Sequence, residues 1–118
     1  MKVGIRRVYE SPQQGEGLRV LVDRLWPRGV RKDALEYDLW EKGIAPTPGL
    51  RKWFGHSSAR WEEFREKYRQ ELQEPPAQER LRAIIEAAGE RNITLLYGAR
   101  DAEHNHALIL ADAIKRLY

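Results

Sequence analysis

The sequence predicts one small α/β domain over residues 1–118, with a mainly parallel sheet flanked by helices. Three observations carry this. Val20-Leu21-Val22 and Thr94-Leu95-Leu96-Tyr97 are runs of strand formers without a charge, as suits strands covered on both faces. Between them, Trp61, Phe64, Tyr68 and Leu72, and then Leu81, Ile84, Ile85 and Ala88, recur at helical spacing. Finally, Thr94–His106 reads as a buried strand, a glycine break, a polar cluster and the start of a helix. In open α/β sheets ligands sit where strands end and helices begin.

The elements follow in order. Val3–Val8 is a short strand, and Ser11–Gly17 (SPQQGEG) is a loop by composition. Leu18–Trp26 is the strongest strand signal, ended by Pro27 and Gly29. A parallel pairing of these first two strands is expected, although their connection is short for a crossover of about a dozen residues. Leu35–Trp40 alternates apolar and polar like an edge strand. Leu50–Phe54 forms one or two helical turns, and Ser58–Leu72 is a helix that Ser57 or Ser58 can cap. Pro75 and Pro76 stop that helix and seed the next, Ala77–Ala88, with Gly89 past its end. Ile93–Tyr97 is a strand and Glu103–Leu117 the last helix.

Composition narrows the function. Hydrophobic residues make up 42% of the chain, enough for a core, and 33% are charged. The net charge is only +3, because acids alternate with bases, so nucleic acid is not expected as the main partner despite a pI near 9.3. There is no cysteine, which excludes disulfides, thiolate metal sites and a cysteine nucleophile. No apolar run approaches the roughly 18 residues of a membrane span, so a soluble cytoplasmic protein is expected, with no membrane partner.

Candidate site residues gather at the predicted strand ends. Asp23 and Arg24 follow a buried run, where charge is costly unless paired. They read equally as an anion-binding arginine held by a carboxylate and as a structural ion pair. Arg51, Lys52, Trp53, Phe54 and His56 interleave bases with aromatics, as in single-strand nucleic-acid binders, but burial of the two aromatics explains them as well. His104 and His106 are two apart, which on a helix turns them to opposite sides, so no metal is expected. His106 shares a stripe with Ile109, Leu110 and Ala113 and is either a hydrogen-bonded core histidine or a general acid or base. Walker A, G-x-G-x-x-G and G-x-S-x-G motifs are absent, and no cofactor is expected.

The segments RVLVDRLWPRG (Arg19–Gly29), LRKWFGH (Leu50–His56), WEEFREKYRQEL (Trp61–Leu72) and TLLYGARDAEHNHA (Thr94–Ala107) closely resemble the YeaO-like branch of domain-of-unknown-function family 488. The likeness runs nearly the whole chain and implies a small α/β domain with a mainly parallel sheet. The wider family tends to carry Asp-x-Arg after the central strand, where this chain has Asp23 and Arg24 adjacent. It also tends to carry a cysteine at the end of the last strand, near Tyr97 here, and a Cys-His-Arg triplet where Asn105-His106-Ala107 stand. Only His106 is kept from the triplet, so thiol chemistry does not carry over.

Two readings result. In the first, a transferase or hydrolase acts on a small anionic or phosphorylated substrate at the C-terminal edge of the sheet. His106 moves a proton, Asp23 orients it, and Arg24, Arg28, Arg100, Asn105 and Tyr97 bind substrate. In the second, the same pocket is a non-catalytic metabolite- or nucleic-acid-binding module.

Overall fold

A computed structural model describes residues 1–117 of the chain. Four strands form one sheet, all pairs parallel: β1 (Val3–Arg7), β2 (Leu18–Leu21), β3 (Leu39–Trp40) and β4 (Ile93–Tyr97), in the spatial order β1-β4-β2-β3. β4 is central. Its Ile93 lies opposite Val3 on one side and Leu18 on the other. The first two strands therefore do not pair with each other as expected. Each pairs with β4, and the helix-free loop between them passes the position that β4 later fills.

The α-helices among the described residues are α1 (Pro48–Phe54), α2 (Trp61–Leu72), α3 (Pro75–Ala88) and α4 (His106–Lys115). Alternation along the strands divides the apolar side chains between two faces. Val3, Leu18, Val20, Ile93, Leu95 and Tyr97 meet the helices in the main core. Leu21, Leu96 and Val8 face the other way, under Trp26, Val30, Leu35 and Trp40. The loop between β2 and β3 thus covers the second face. Trp26 and Trp40 meet edge to face at 5.4 Å there, and their ring N–H groups donate to the Val30 and Asp23 carbonyls.

That second face also buries charge. Glu16, 8% exposed, accepts from the Arg6 Nε at 2.5 Å and the Arg19 Nε at 2.6 Å. Burial alone raises its carboxyl, but the two guanidiniums more than offset this and hold it below the usual carboxylate range. The loop that carries Glu16 is pinned further by its own carbonyl, which accepts from the Thr94 hydroxyl at 2.8 Å.

Several predicted boundaries move. β2 ends at Leu21, not Trp26, because β4 stops at Tyr97 and leaves the later residues no ladder. Val22 makes the last link, its N–H donating to Leu96 at 3.1 Å, and Leu25 is 67% exposed. The edge strand shrinks from Leu35–Trp40 to Leu39–Trp40, since Leu35 packs on the second apolar patch instead. Neither Ser57 nor Ser58 caps α2. Ser57–Arg60 close a 3-10 turn ahead of it, and Glu62 and Glu63 supply negative charge to its first turn. α3 begins two residues early, at Pro75, as suits prolines in a first turn. α4 begins at His106 rather than Glu103. The Asp101 carboxylate draws the N–H groups of Glu103 and His104 into a separate turn, and Asn105 caps the helix by accepting from the Leu108 N–H. Among the described residues no helix is long and apolar enough to cross a membrane.

Candidate functional site

Parallel strands end on one edge, and here that edge holds the ends of β2 and β4 and the start of α4. Asp23 leaves β2 and accepts from the Gly98 N–H just past β4, Oδ2 to N 3.0 Å. A Cβ on Gly98 would stand 2.9 Å from that oxygen, so glycine is what lets the carboxylate in. The other oxygen, Oδ1, is buried without a hydrogen bond and lies 3.4 Å from His106 Nε2.

His106 occupies the first turn of α4, its side chain 15% exposed. Its Nε2 is 3.0 Å from the Val22 carbonyl oxygen. A carbonyl only accepts, so Nε2 carries the proton and Nδ1 keeps its lone pair. The Tyr68 ring lies edge-on at 6.3 Å. Burial pushes the His106 imidazole below its ordinary value. Asp23 and the Val22 carbonyl oppose this, while Arg51 and His56 add to it. Burial pushes Asp23 the other way, above the usual carboxylate range, against His106, the Gly98 N–H and Arg51. Both shifts favour uncharged forms. The pair is a neutral histidine beside a carboxylate that ionises reluctantly.

A cleft of about 630 Å³ opens over this pair, and Asp23, Arg24, Arg28, Arg51, Arg100 and His106 all border it. The predicted residues do not share one role in it. Arg24 is anchored, donating from Nη2 to the Ala45 and Pro46 carbonyls at 3.2 and 3.1 Å, while its Nε is buried without a partner. Arg28 and Arg100 are exposed at the rim. Asn105 is 2% exposed and caught in local structure, capping α4 and donating to the Asp101 carbonyl at 2.9 Å. Tyr97 is 3% exposed and joins the main core, outside the cleft lining.

Two residues outside that predicted set stand on the same cleft. Arg51 is in the last turn of α1, and His56 follows the helix-ending Gly55. Gly55 and His56 both have left-handed backbone, φ 54° and 58°. His56 is the non-glycine residue there with positive φ, a conformation that costs energy and that recurs at binding sites. The basic and aromatic run Arg51–His56 was the available signal, but its placement over the sheet edge depends on how α1 packs.

A second cavity, about 320 Å³, adjoins the first and shares Pro46, Arg51, His56, Ala99 and His106 with it. Phe54 and Phe64 contribute to its wall. His104 also reaches it, but its Nδ1 is paired with Asp101 at 2.9 Å and its ring meets Trp61 edge-on at 5.3 Å. Among the described residues, no group of three or more histidines and carboxylates is placed to hold a metal ion.

Comparison with known proteins gives a consistent family. The model described as the inactive DUF488-N3 subclade matches residues 2–118. The uncharacterized protein YeaO of Escherichia coli is 40% identical over 117 residues, covering 99% of this chain and 100% of the relative. The uncharacterized protein Rv3073c of Mycobacterium tuberculosis is 37% identical over 113 residues, covering 96% and 93%. No solved structure matches. From the whole-chain match and the full-length relatives together, the chain belongs to the DUF488 family, in its inactive DUF488-N3 subclade, with YeaO among its relatives.

Proposed function

We propose that this chain binds a small anionic metabolite, phosphorylated or carboxylated, in the cleft at the C-terminal edge of the sheet, without covalent chemistry. The observation that carries the reading is the convergence of Arg24, Arg28, Arg51 and Arg100 on one cleft against two carboxylates, Asp23 and Asp101. Guanidiniums suit oxyanions because their donors match two oxygens at once. Asp23 is partly withdrawn from the contest by its bond to Gly98 and its reluctance to ionise. The description of the subclade as inactive supports binding over turnover. Nucleic acid is not the main partner on this reading, since the cationic groups line a concave cleft rather than a stripe. The cytoplasm is the proposed location, where a chain without cysteine loses nothing to reducing conditions.

One observation favours the enzymatic reading. The bond from Nε2–H to Val22 leaves His106 Nδ1 as a free acceptor on a neutral ring, which is the state a general base needs.

The test is a thermal-shift screen of phosphorylated metabolites, nucleotides and simple anions at low salt, repeated on Arg51→Ala/Arg100→Ala. A saturable rise in Tm with one ligand class, reduced in the double variant, is expected. A wild-type Tm indifferent to all of them removes the anion site. Turnover of a hit by wild type but not by His106→Asn replaces binding with catalysis.

A further inference from the structure

We infer that the ligand has two parts, an oxyanion and a ring-sized apolar body, divided between the two adjoining cavities. This rests on the anion-binding reading above and adds the chemistry of the rest of the molecule. The cavities are about equally apolar overall and differ in which side chains line them. Arg24, Arg28 and Arg100 border the larger alone, and Arg51 borders both. The smaller is walled by Pro46, Pro48, Phe54, Phe64 and Ala99, and the two phenylalanines stack at 4.2 Å between centroids. Its deeper polar neighbours are already committed: both ends of the Asn105 amide are bonded, and His104 Nδ1 is held by Asp101. An apolar group entering there packs against the phenylalanines and gains from leaving water, with the Arg51 and Lys52 side chains beside it.

The cavities also meet where the charge changes. Arg51, His56 and His106 border both. An anion at that junction touches the cationic side, and whatever is attached to it extends towards the phenylalanines. The left-handed His56 sits on this boundary, and its ring leans on Phe54 at 6.2 Å.

Calorimetric titration of the intact protein with methyl phosphate and phenyl phosphate tests this, since the two probes share a headgroup and differ in the body. Phenyl phosphate is expected to bind roughly tenfold more tightly or better, the gain that burying a ring's apolar area supplies. In Pro48→Phe, which adds bulk at a wall of the smaller cavity alone, the ratio of the two affinities should fall towards one. Proton NMR of the wild type gives a readout independent of that variant's folding. Phenyl phosphate should shift the Phe64 and His106 ring signals, and methyl phosphate the His106 signal alone. Equal affinities, or an unmoved Phe64, overturn the two-part ligand while leaving the anion site standing. Failure of both phosphates, and of acetate and benzoate as their carboxylate counterparts, to bind overturns the two together.

Discussion

Asp23 Oδ1 and His106 Nε2 lie 3.4 Å apart, and that carboxylate oxygen has no hydrogen bond of its own. The Nε2–H points instead to the Val22 carbonyl, the nearer acceptor at 3.0 Å. The contact is not a hydrogen bond, and each partner, when charged, shifts the titration of the other.

Asp23→Asn should therefore lower the His106 pKa further, because the carboxylate is the main influence raising it. A histidine NMR titration reads this directly, and an unchanged or higher value contradicts it. Stability follows with a definite sign. His106 takes up its proton more readily unfolded, near pH 6.5, than folded. Its contribution is full above that pH and is lost as pH falls through the lower folded value. Asp23 runs the other way, its contribution full below about pH 3.9 and lost as pH rises through its raised folded value. His106→Gln should flatten the loss on the acid side of pH 6.5 in urea unfolding.

Tyr68 is fully buried, and its hydroxyl donates to the Ile44 carbonyl at 2.5 Å. Burial holds its phenol well above its ordinary value, so it stays a donor at any physiological pH. Tyr68→Phe leaves the carbonyl without this donor and should cost about 1–3 kcal/mol in chemical denaturation. A neutral result would mean that the carbonyl finds water.

Glu16→Gln breaks the bridge between Arg6 and Arg19 on the second face of the sheet. Removing one partner of a buried pair costs about 3–5 kcal/mol, and the lower end is expected because the Arg19 side chain is 25% exposed. The wild-type contribution is full above the unfolded glutamate pKa, about 4.3, and disappears as pH falls through the depressed folded value. The difference between wild type and variant should accordingly close in acid.

Gly17 and Gly15 make a matched pair. Both have positive φ, 70° and 81°. A Cβ at Gly17 would come within 2.0 Å of the Asn92 carbonyl oxygen, which accepts from the Leu18 N–H, whereas one at Gly15 meets nothing. Gly15→Ala should cost roughly 1–2 kcal/mol, the ordinary left-handed penalty. Gly17→Ala should cost clearly more, since the start of β2 must move. Equal effects in thermal unfolding would remove the steric argument.

The legible parts of the sequence were those where burial works on every residue of an element. β4 is buried at all five positions, and its predicted bounds, Ile93–Tyr97, are those observed. The stripe Phe64, Tyr68 and Leu72 on α2 is buried as its spacing requires. β2 was overextended because a strand's end depends on its neighbour's length, and that neighbour lies 75 residues away in the register Arg19 to Thr94 and onward. At the site, Asp23, Arg24, Arg28, Arg100 and His106 could be named from strand ends. Asn105 caps α4, a role its residue type fits, and it also lines the smaller cavity. Arg51 and His56 required knowing where α1 lies. Glu16 was hidden in a stretch whose composition says only loop, yet it sits between two arginines on strands in opposite phase to the core residues.

The position of β4 has a consequence for how the chain becomes structured. The strand in the middle of the sheet is the last one synthesised, and it pairs with residues 90 positions earlier, Val3 with Ile93. Until Ile93–Tyr97 arrive, β1 has no strand to pair with, and β2 has only the two-residue β3. Such long-range closure slows folding, because a large loop must be ordered before its contacts form. A nascent chain therefore carries the facing sides of β1 and β2 unpaired until Ile93–Tyr97 emerge. The loop bearing Glu16 waits as well, since its anchors, Asn92 and Thr94, arrive with the same late segment.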